Sequence, residues 1–138
     1  MKQLKAIIAS LALFAMFAGT SAQAKTEIQF WSAFGGRLGT LLEEQVSKFN
    51  ASQNKYNVVH TRKGNYSETL NAGIASFRAG QHPHILMVFE VGTASLMAAK
   101  GAYIPMYKLM KDAGQKFNPN GFVSSVKGYY TDTSGNML

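Results

Sequence analysis

Strand-like and helix-like patterns alternate along the middle of the chain, and this alternation restricts the fold more than any other feature. Aromatic and β-branched residues predict strands at Glu27–Phe34 and Tyr56–Thr61, and a continuous apolar run predicts a third at Ile85–Phe89. Between the strands, apolar residues recur every three or four positions, which is typical of helices with one apolar face. Such an order favours a parallel sheet with right-handed helical crossovers. The sequence therefore predicts an α/β fold with a mainly parallel sheet flanked by helices.

The helices carry identifiable boundaries. The first is predicted to begin near Leu38, after Gly35-Gly36, and to close at Asn50. Its apolar residues are expected to form one buried stripe: Leu38, Leu41, Leu42, Val46 and Phe49. The second is predicted to begin at an Asn65 N-cap, with Glu68 three residues later completing a capping box, and to end at Gly80. Its apolar face comprises Tyr66, Leu70, Ile74 and Phe77.

Three further helical segments are predicted in the remainder of the chain. They are placed at Thr93–Lys100, at Met106–Ala113 and after Asn118-Pro119. Tyr129-Tyr130 is then predicted to be strand-like, with the turn residues Thr133-Ser134-Gly135-Asn136 beginning a hairpin.

The N-terminus has the pattern of a secretory signal. Lys2 and Lys5 precede a short apolar run from Ala6 to Ala18, and Ala22-Gln23-Ala24 provides a small-residue cleavage pattern. The run is shorter than the roughly 20 apolar residues that a transmembrane helix needs. We therefore predict a cleavable signal peptide at residues 1–24 and export of the domain that begins at Lys25.

The chain is basic but not patterned for a polyanion. Lysine and arginine number 14 against 7 acidic residues, which gives a formal charge of +7. These cations are scattered, and only Arg62 and Lys63 are adjacent. A solvated basic surface explains this better than a nucleic-acid site, so no nucleic-acid partner is expected. The chain has no cysteine, so an apolar core rather than disulfides must stabilise it.

The carboxyl edge of the predicted sheet is the place to expect a ligand, because every strand-to-helix loop and helix N-terminus collects there. Three loops are predicted to converge at this edge: Ser32–Gly36, Lys63–Tyr66 and Glu90–Thr93. Glu90 follows an apolar strand directly, where its carboxylate needs donors such as the hydroxyls of a polyol. The alternative is that Glu90 only complements the dipole of the helix after it. Tyr66 has an apolar ring and a polar tip, suited equally to holding a ligand and to packing on its own helix.

Other residues carry weaker signals. Gly35-Gly36 resembles a phosphate-binding loop loosely but serves equally as a simple turn, and Trp31 is more typical of a core than of a binding platform. His82 and His84 lack nearby cysteine or carboxylate partners, so no metal site and no cofactor are predicted. No nucleophile motif is present. The remaining enzymatic alternative is an exported hydrolase of a phosphodiester or glycoside that uses Glu90 with Glu68.

Several blocks of the sequence resemble a known family. "KGNY", "AGIASFRAG" and "EVGTA", with "IQFWSAF" before them and "FVSSVKGYYTDTSGNML" after them, are similar to the periplasmic solute-binding proteins of ABC importers that bind glycerol 3-phosphate. The resemblance covers essentially all of the chain after the signal. Where the family often has a polar or acidic first loop, this chain has Ser32–Gly36, which puts a ligand contact from that loop in doubt.

The resemblance implies a two-lobed fold that closes on its ligand, of which residues 25–138 are the first part of the N-terminal lobe. It implies a monomeric periplasmic protein that captures sn-glycerol 3-phosphate, or a glycerophosphodiester, and delivers it to the permease subunits and ATPase of the importer. It implies no enzymatic activity. The family's ligand-contacting tyrosine and glutamate correspond to Tyr66 and Glu90. Glu90 is expected to face the glycerol hydroxyls, because a carboxylate and a phosphate repel each other.

Overall fold

A computed structural model describes residues 24–99 and 101–137. The predicted signal peptide, apart from Ala24, lies outside the described residues, as does Lys100 at the predicted end of the third helix. Three parallel strands form one sheet: β1 (Thr26–Ser32), β2 (Tyr56–Arg62) and β3 (Ile85–Leu86). Their order is β2-β1-β3, so the first strand is central. The predicted α/β class and parallel sheet are confirmed.

Helices flank this sheet and then continue along the chain. They are α1 (Gly36–Ser52), α2 (Tyr66–Arg78), α3 (Glu90–Ala98), α4 (Met106–Asp112), a 3-10 turn (Pro119–Gly121) and α5 (Ser124–Tyr129). Within residues 24–99 and 101–137, no helix has both the length and the apolar character that a bilayer span requires.

The first helix is longer than predicted and less buried. It runs on past Asn50, whose side-chain amide instead binds both the N–H and the C=O of Val58, at 2.7 and 2.9 Å. The prediction of one buried stripe was wrong. Leu42 and Val46 are partly buried, whereas Leu38, Leu41 and Phe49 are 55%, 44% and 44% exposed. The stripe is wider than the contact that one small sheet offers, so its outer part faces solvent.

The second helix begins as predicted. The Glu68 N–H donates to Asn65 Oδ1 at 2.9 Å, and the Asn65 N–H donates to Glu68 Oε2 at 2.7 Å, which confirms the capping box. The residues that α2 buries fully are Thr69 and Gly73 rather than the predicted apolar face. Gly73 is buried because Leu86 of β3 packs against it.

The third strand is shorter and more exposed than predicted. Only Ile85 and Leu86 form the strand, although the Met87 N–H still donates to the Trp31 carbonyl at 2.9 Å. The expectation of burial on both faces was wrong, since Ile85 is 46% exposed. Among the described residues β3 pairs only with β1 and is therefore an edge strand.

The C-terminal prediction was partly right. Tyr129 ends α5 and Tyr130 caps it, so this pair is helical rather than strand-like. The turn itself forms, closed by an antiparallel bridge between Thr131 and Met137. The Asn136 N–H donates to Asp132 Oδ1 at 2.9 Å, and this bond lowers the pKa of the Asp132 carboxyl below its usual value.

Candidate functional site

The strand order indicates where a ligand would bind at the carboxyl edge of the sheet. From the central strand β1 the chain moves to one side, to β2, and then crosses to β3 on the other side. In open parallel sheets, ligands bind where the direction of the connections changes, beyond the carboxyl ends of the strands. Here that place is the pair β1 and β3. It is bordered by the loop after β1 and by the start of α3.

Three aromatic rings meet at this edge, one following each strand. They are Phe34 after β1, Tyr66 after β2 and Phe89 after β3. The Tyr66 ring stacks on Phe89, with centroids 5.4 Å apart, and meets Phe34 edge to face at 6.5 Å. Offset-stacked and edge-to-face contacts are the favourable arrangements of aromatic rings. The first two predicted loops therefore meet at this edge, together with Phe89, whereas the predicted third loop, Glu90–Thr93, is helical.

Tyr66 both packs and remains accessible. Its ring touches two other loops, but the residue is 44% exposed. It is the first residue of α2, beside first-turn N–H groups of that helix. A ring held by neighbours loses little freedom when a ligand binds, so its surface is pre-organised.

The prediction that Glu90 lies in a loop was wrong, because Glu90 is the first residue of α3. Phe89 caps α3 without any side-chain hydrogen bond, so no capping residue in the sequence marks the start of this helix. Glu90 is exposed and directly follows Phe89, the ring on which Tyr66 stacks. Its backbone carbonyl accepts a hydrogen bond from the Tyr129 hydroxyl. At this position the exposed Glu90 carboxylate can interact favourably with the α3 dipole and can also contact a ligand.

The second carboxylate of the hydrolase alternative has another task. Glu68 Oε2 is bound to the Asn65 N–H in the capping box. A carboxylate that fixes a helix start is poorly placed to act as acid or base at the same time. The geometry of Glu68 thus favours a structural role.

Two cations border the same edge. The Lys63 ammonium lies 3.9 Å from the centroid of the Trp31 indole, a cation–π contact, and Trp31 is only partly buried. Arg62 ends β2 opposite Ser32 of β1. Its Nε is 2.9 Å from the point that a Cβ on Gly35 would occupy, so the guanidinium packs on the glycine of the first loop.

The two histidines near β3 have structural contacts. His84 Nδ1 accepts from the Gln29 N–H at 3.0 Å, and the His82 ring packs on Phe77 with centroids 5.6 Å apart. In the described part of the chain, no three potential metal-ligating side chains of His, Cys, Asp or Glu cluster together.

A series of polar contacts that runs from the buried Ser32 through His60 to the exposed Glu43 was not predicted. Ser32 Oγ lies 2.6 Å from His60 Nε2, and His60 Nδ1 lies 2.5 Å from Glu43 Oε1. These residues are far apart in sequence, and no local motif links them. A nucleophile must reach its substrate, but Ser32 is 0% exposed and the His60 side chain 2% exposed. We therefore interpret the contacts between Ser32, His60 and Glu43 as structural, because they link β1, β2 and α1.

Replacing His60 by phenylalanine tests this structural role. We expect His60→Phe to lower the free energy of unfolding by about 1–3 kcal/mol, because it leaves the buried Ser32 hydroxyl without a partner. Urea unfolding followed by circular dichroism measures the loss. The double variant Ser32→Ala/His60→Phe removes both polar groups and should recover part of it. A single variant as stable as the wild type, or no recovery in the double variant, would contradict the interpretation.

The fold and this edge define a class. An open parallel sheet with helices on its flanks, and with aromatic rings and an exposed carboxylate at its carboxyl edge, belongs to the α/β class whose members bind ligands at this edge. No protein-family model matches the chain.

Comparison with characterised proteins is more specific. The chain is 46% identical over 140 residues to the sn-glycerol-3-phosphate-binding periplasmic protein UgpB of Escherichia coli O1:K1. It is 45% identical over 139 residues to the proteins of the same name from Escherichia coli strain K12 and Shigella dysenteriae serotype 1. Each match covers 100% of this chain and 31% of the relative. The resemblance predicted from the sequence is confirmed, and the chain spans about a third of the length of these relatives.

Proposed function

We propose that this chain is part of the N-terminal lobe of an exported solute-binding protein that captures sn-glycerol 3-phosphate. The observation that carries the proposal is the 45–46% identity along the whole chain to periplasmic proteins named for binding that compound. The strand order supports it, because in open parallel sheets ligands bind beyond the carboxyl ends of strands such as β1 and β3.

Tyr66 and Glu90 are the proposed ligand contacts of this lobe. The Glu90 carboxylate accepts hydrogen bonds from the glycerol hydroxyls, and the Tyr66 ring packs against the carbon chain. Closure of a second lobe would then exclude water, and the closed protein would deliver its ligand to the permease and ATPase of an ABC importer. The protein acts in the periplasm, after residues 1–24 have been removed, as a monomer. It binds its ligand without chemical change.

Titration of the native protein tests the proposal. The protein is purified from the exported fraction of the source cell, in whatever length the cell makes it, and titrated calorimetrically with sn-glycerol 3-phosphate. We expect saturable binding at one site per protein and full recovery of the unaltered ligand. Maltose serves as the control for a generic sugar-binding relative. Failure to saturate at millimolar ligand, or release of inorganic phosphate or glycerol, would refute the proposal.

A further inference from the structure

Tyr129 connects the last helix of the structure to the start of α3. Its hydroxyl donates a hydrogen bond to the backbone carbonyl of Glu90, 39 positions earlier in the chain. Tyr129 is the final residue of α5, and Glu90 is the first residue of α3. A residue outside the three strand-to-helix connections therefore holds the backbone of a proposed ligand contact.

The Tyr129 side chain lies beside the face of α3 that begins with Glu90. Thr93, Ala94 and Met97 follow Glu90 by three, four and seven positions, so these residues share one side of the helix. Tyr129 lines a groove together with Thr93, Ala94 and Met97. The tyrosine therefore borders this side of α3, and its hydroxyl reaches the Glu90 end of it.

The start of α3 depends on contacts other than a cap. Phe89 precedes the helix and provides no side-chain hydrogen bond to it, so the first turn is not fixed from that side. Thr93 Oγ1 donates to the Phe89 carbonyl at 3.3 Å, but this bond stays within one turn of the same helix. The Tyr129 hydroxyl ties that turn to a different element, α5. A displacement of the turn would carry the Glu90 carboxylate with it, because Glu90 is its first residue.

We propose that Tyr129 is a positioning residue for ligand binding. Its hydroxyl holds the first turn of α3 so that the Glu90 carboxylate meets the hydroxyl groups of sn-glycerol 3-phosphate. The proposal rests on the proposed function and adds to it a residue of α5. A carboxylate that is already in place loses less freedom when it binds the ligand, which strengthens binding. Tyr129 acts through the backbone of Glu90 and not through the ligand itself.

Tyr129→Phe in the native protein tests this role, because it removes the hydroxyl and keeps the ring. We expect calorimetric titration to show binding of sn-glycerol 3-phosphate that is about two- to tenfold weaker, the scale of one neutral hydrogen bond. The same change is then made in a Glu90→Ala background. There the backbone carbonyl at position 90 still accepts the Tyr129 bond, but no carboxylate remains to be positioned, so Tyr129→Phe should have no further effect. Tyr56→Phe, at the amino end of β2, is the matched control and should leave the affinity unchanged.

The outcomes separate a positioning role from a purely structural one. If the wild-type protein does not bind sn-glycerol 3-phosphate, the proposed function fails, and the role of Tyr129 fails with it. If the wild-type protein binds and Tyr129→Phe binds equally well, the role of Tyr129 is overturned while the proposed function stands. An equal loss with and without the Glu90 carboxylate would also overturn it, because that result indicates a general distortion of α3. Tyr129 is 51% exposed, so Tyr129→Phe is expected to fold, and a cooperative thermal melt checks this.

Discussion

Glu90→Ala is expected to weaken binding of sn-glycerol 3-phosphate to the native protein by about 1–3 kcal/mol, which is roughly five- to 150-fold. The carboxylate is exposed at the first position of α3, directly after the ring on which Tyr66 stacks. In the proposed complex the ligand hydroxyls donate to this carboxylate, and charged acceptors form the stronger class of hydrogen bond. Calorimetric titration of the variant and the wild type measures the difference.

Two further variants separate binding from helix stability. Glu90→Gln keeps the size and one acceptor oxygen but removes the charge, so it should lie between the wild type and alanine. Glu44→Ala, on an exposed position of α1, is the matched control and should bind as the wild type does. If Glu90 served only the dipole of α3, Glu90→Ala would lower the melting temperature slightly and leave the dissociation constant unchanged. That result would contradict the assignment.

Gly64→Ala is expected to lower the free energy of unfolding by about 2–4 kcal/mol, the largest stability effect that we predict. Gly64 has φ +108°, a conformation that costs an L-residue about 1–3 kcal/mol. A Cβ there would also overlap Glu68 Oε2 and come within 2.9 Å of Glu68 Cδ. It would thereby displace the carboxylate that completes the capping box with Asn65, and a lost cap costs about 0.5–2 kcal/mol.

Gly80→Ala is the matched control for strain without overlap. Gly80 also has a positive φ, +68°, but nothing lies within 4 Å of its added Cβ. We expect it to cost about 1–2 kcal/mol, the ordinary penalty for a left-handed L-residue. In a Glu68→Ala background the cost of Gly64→Ala should fall towards that value, because the overlapping side chain is gone. Denaturant unfolding measures the loss of stability in each variant. Equal losses for Gly64→Ala and Gly80→Ala, or the same loss for Gly64→Ala with and without the Glu68 side chain, would contradict the explanation.

Gly64→Ala is also expected to affect the candidate binding site. Gly64, Asn65 and Tyr66 are consecutive, so displacement of the capping box moves the start of α2. The Tyr66 ring is the one that links Phe34 to Phe89. The order of the three loops at the carboxyl edge therefore depends on one glycine and one cap.

Local sequence was sufficient wherever the signal lay within a few residues. The start of α2 was predicted because Asn65 and Glu68 bind each other's backbone across three positions. The start of α3 was missed by three residues because Phe89 provides no side-chain cap. The strand-like appearance of Tyr129-Tyr130 misled because aromatic residues favour strands, yet a helix begun at Ser124 continues through Tyr129.

The sequence by itself determined the α/β class, the alternation of strands and helices that makes the sheet parallel, and the candidate contacts Tyr66 and Glu90. Periodicity and residue type at strand ends are local properties, so the sequence shows them directly. Only the tertiary structure decided the order β2-β1-β3, the stacking of Tyr66 on Phe89, the Ser32–His60–Glu43 chain and the packing of Arg62 on Gly35. It also decided that α1 and β3 leave apolar side chains exposed. These features join residues that are far apart in the chain, and their contacts depend on how whole elements pack rather than on any pattern within one of them.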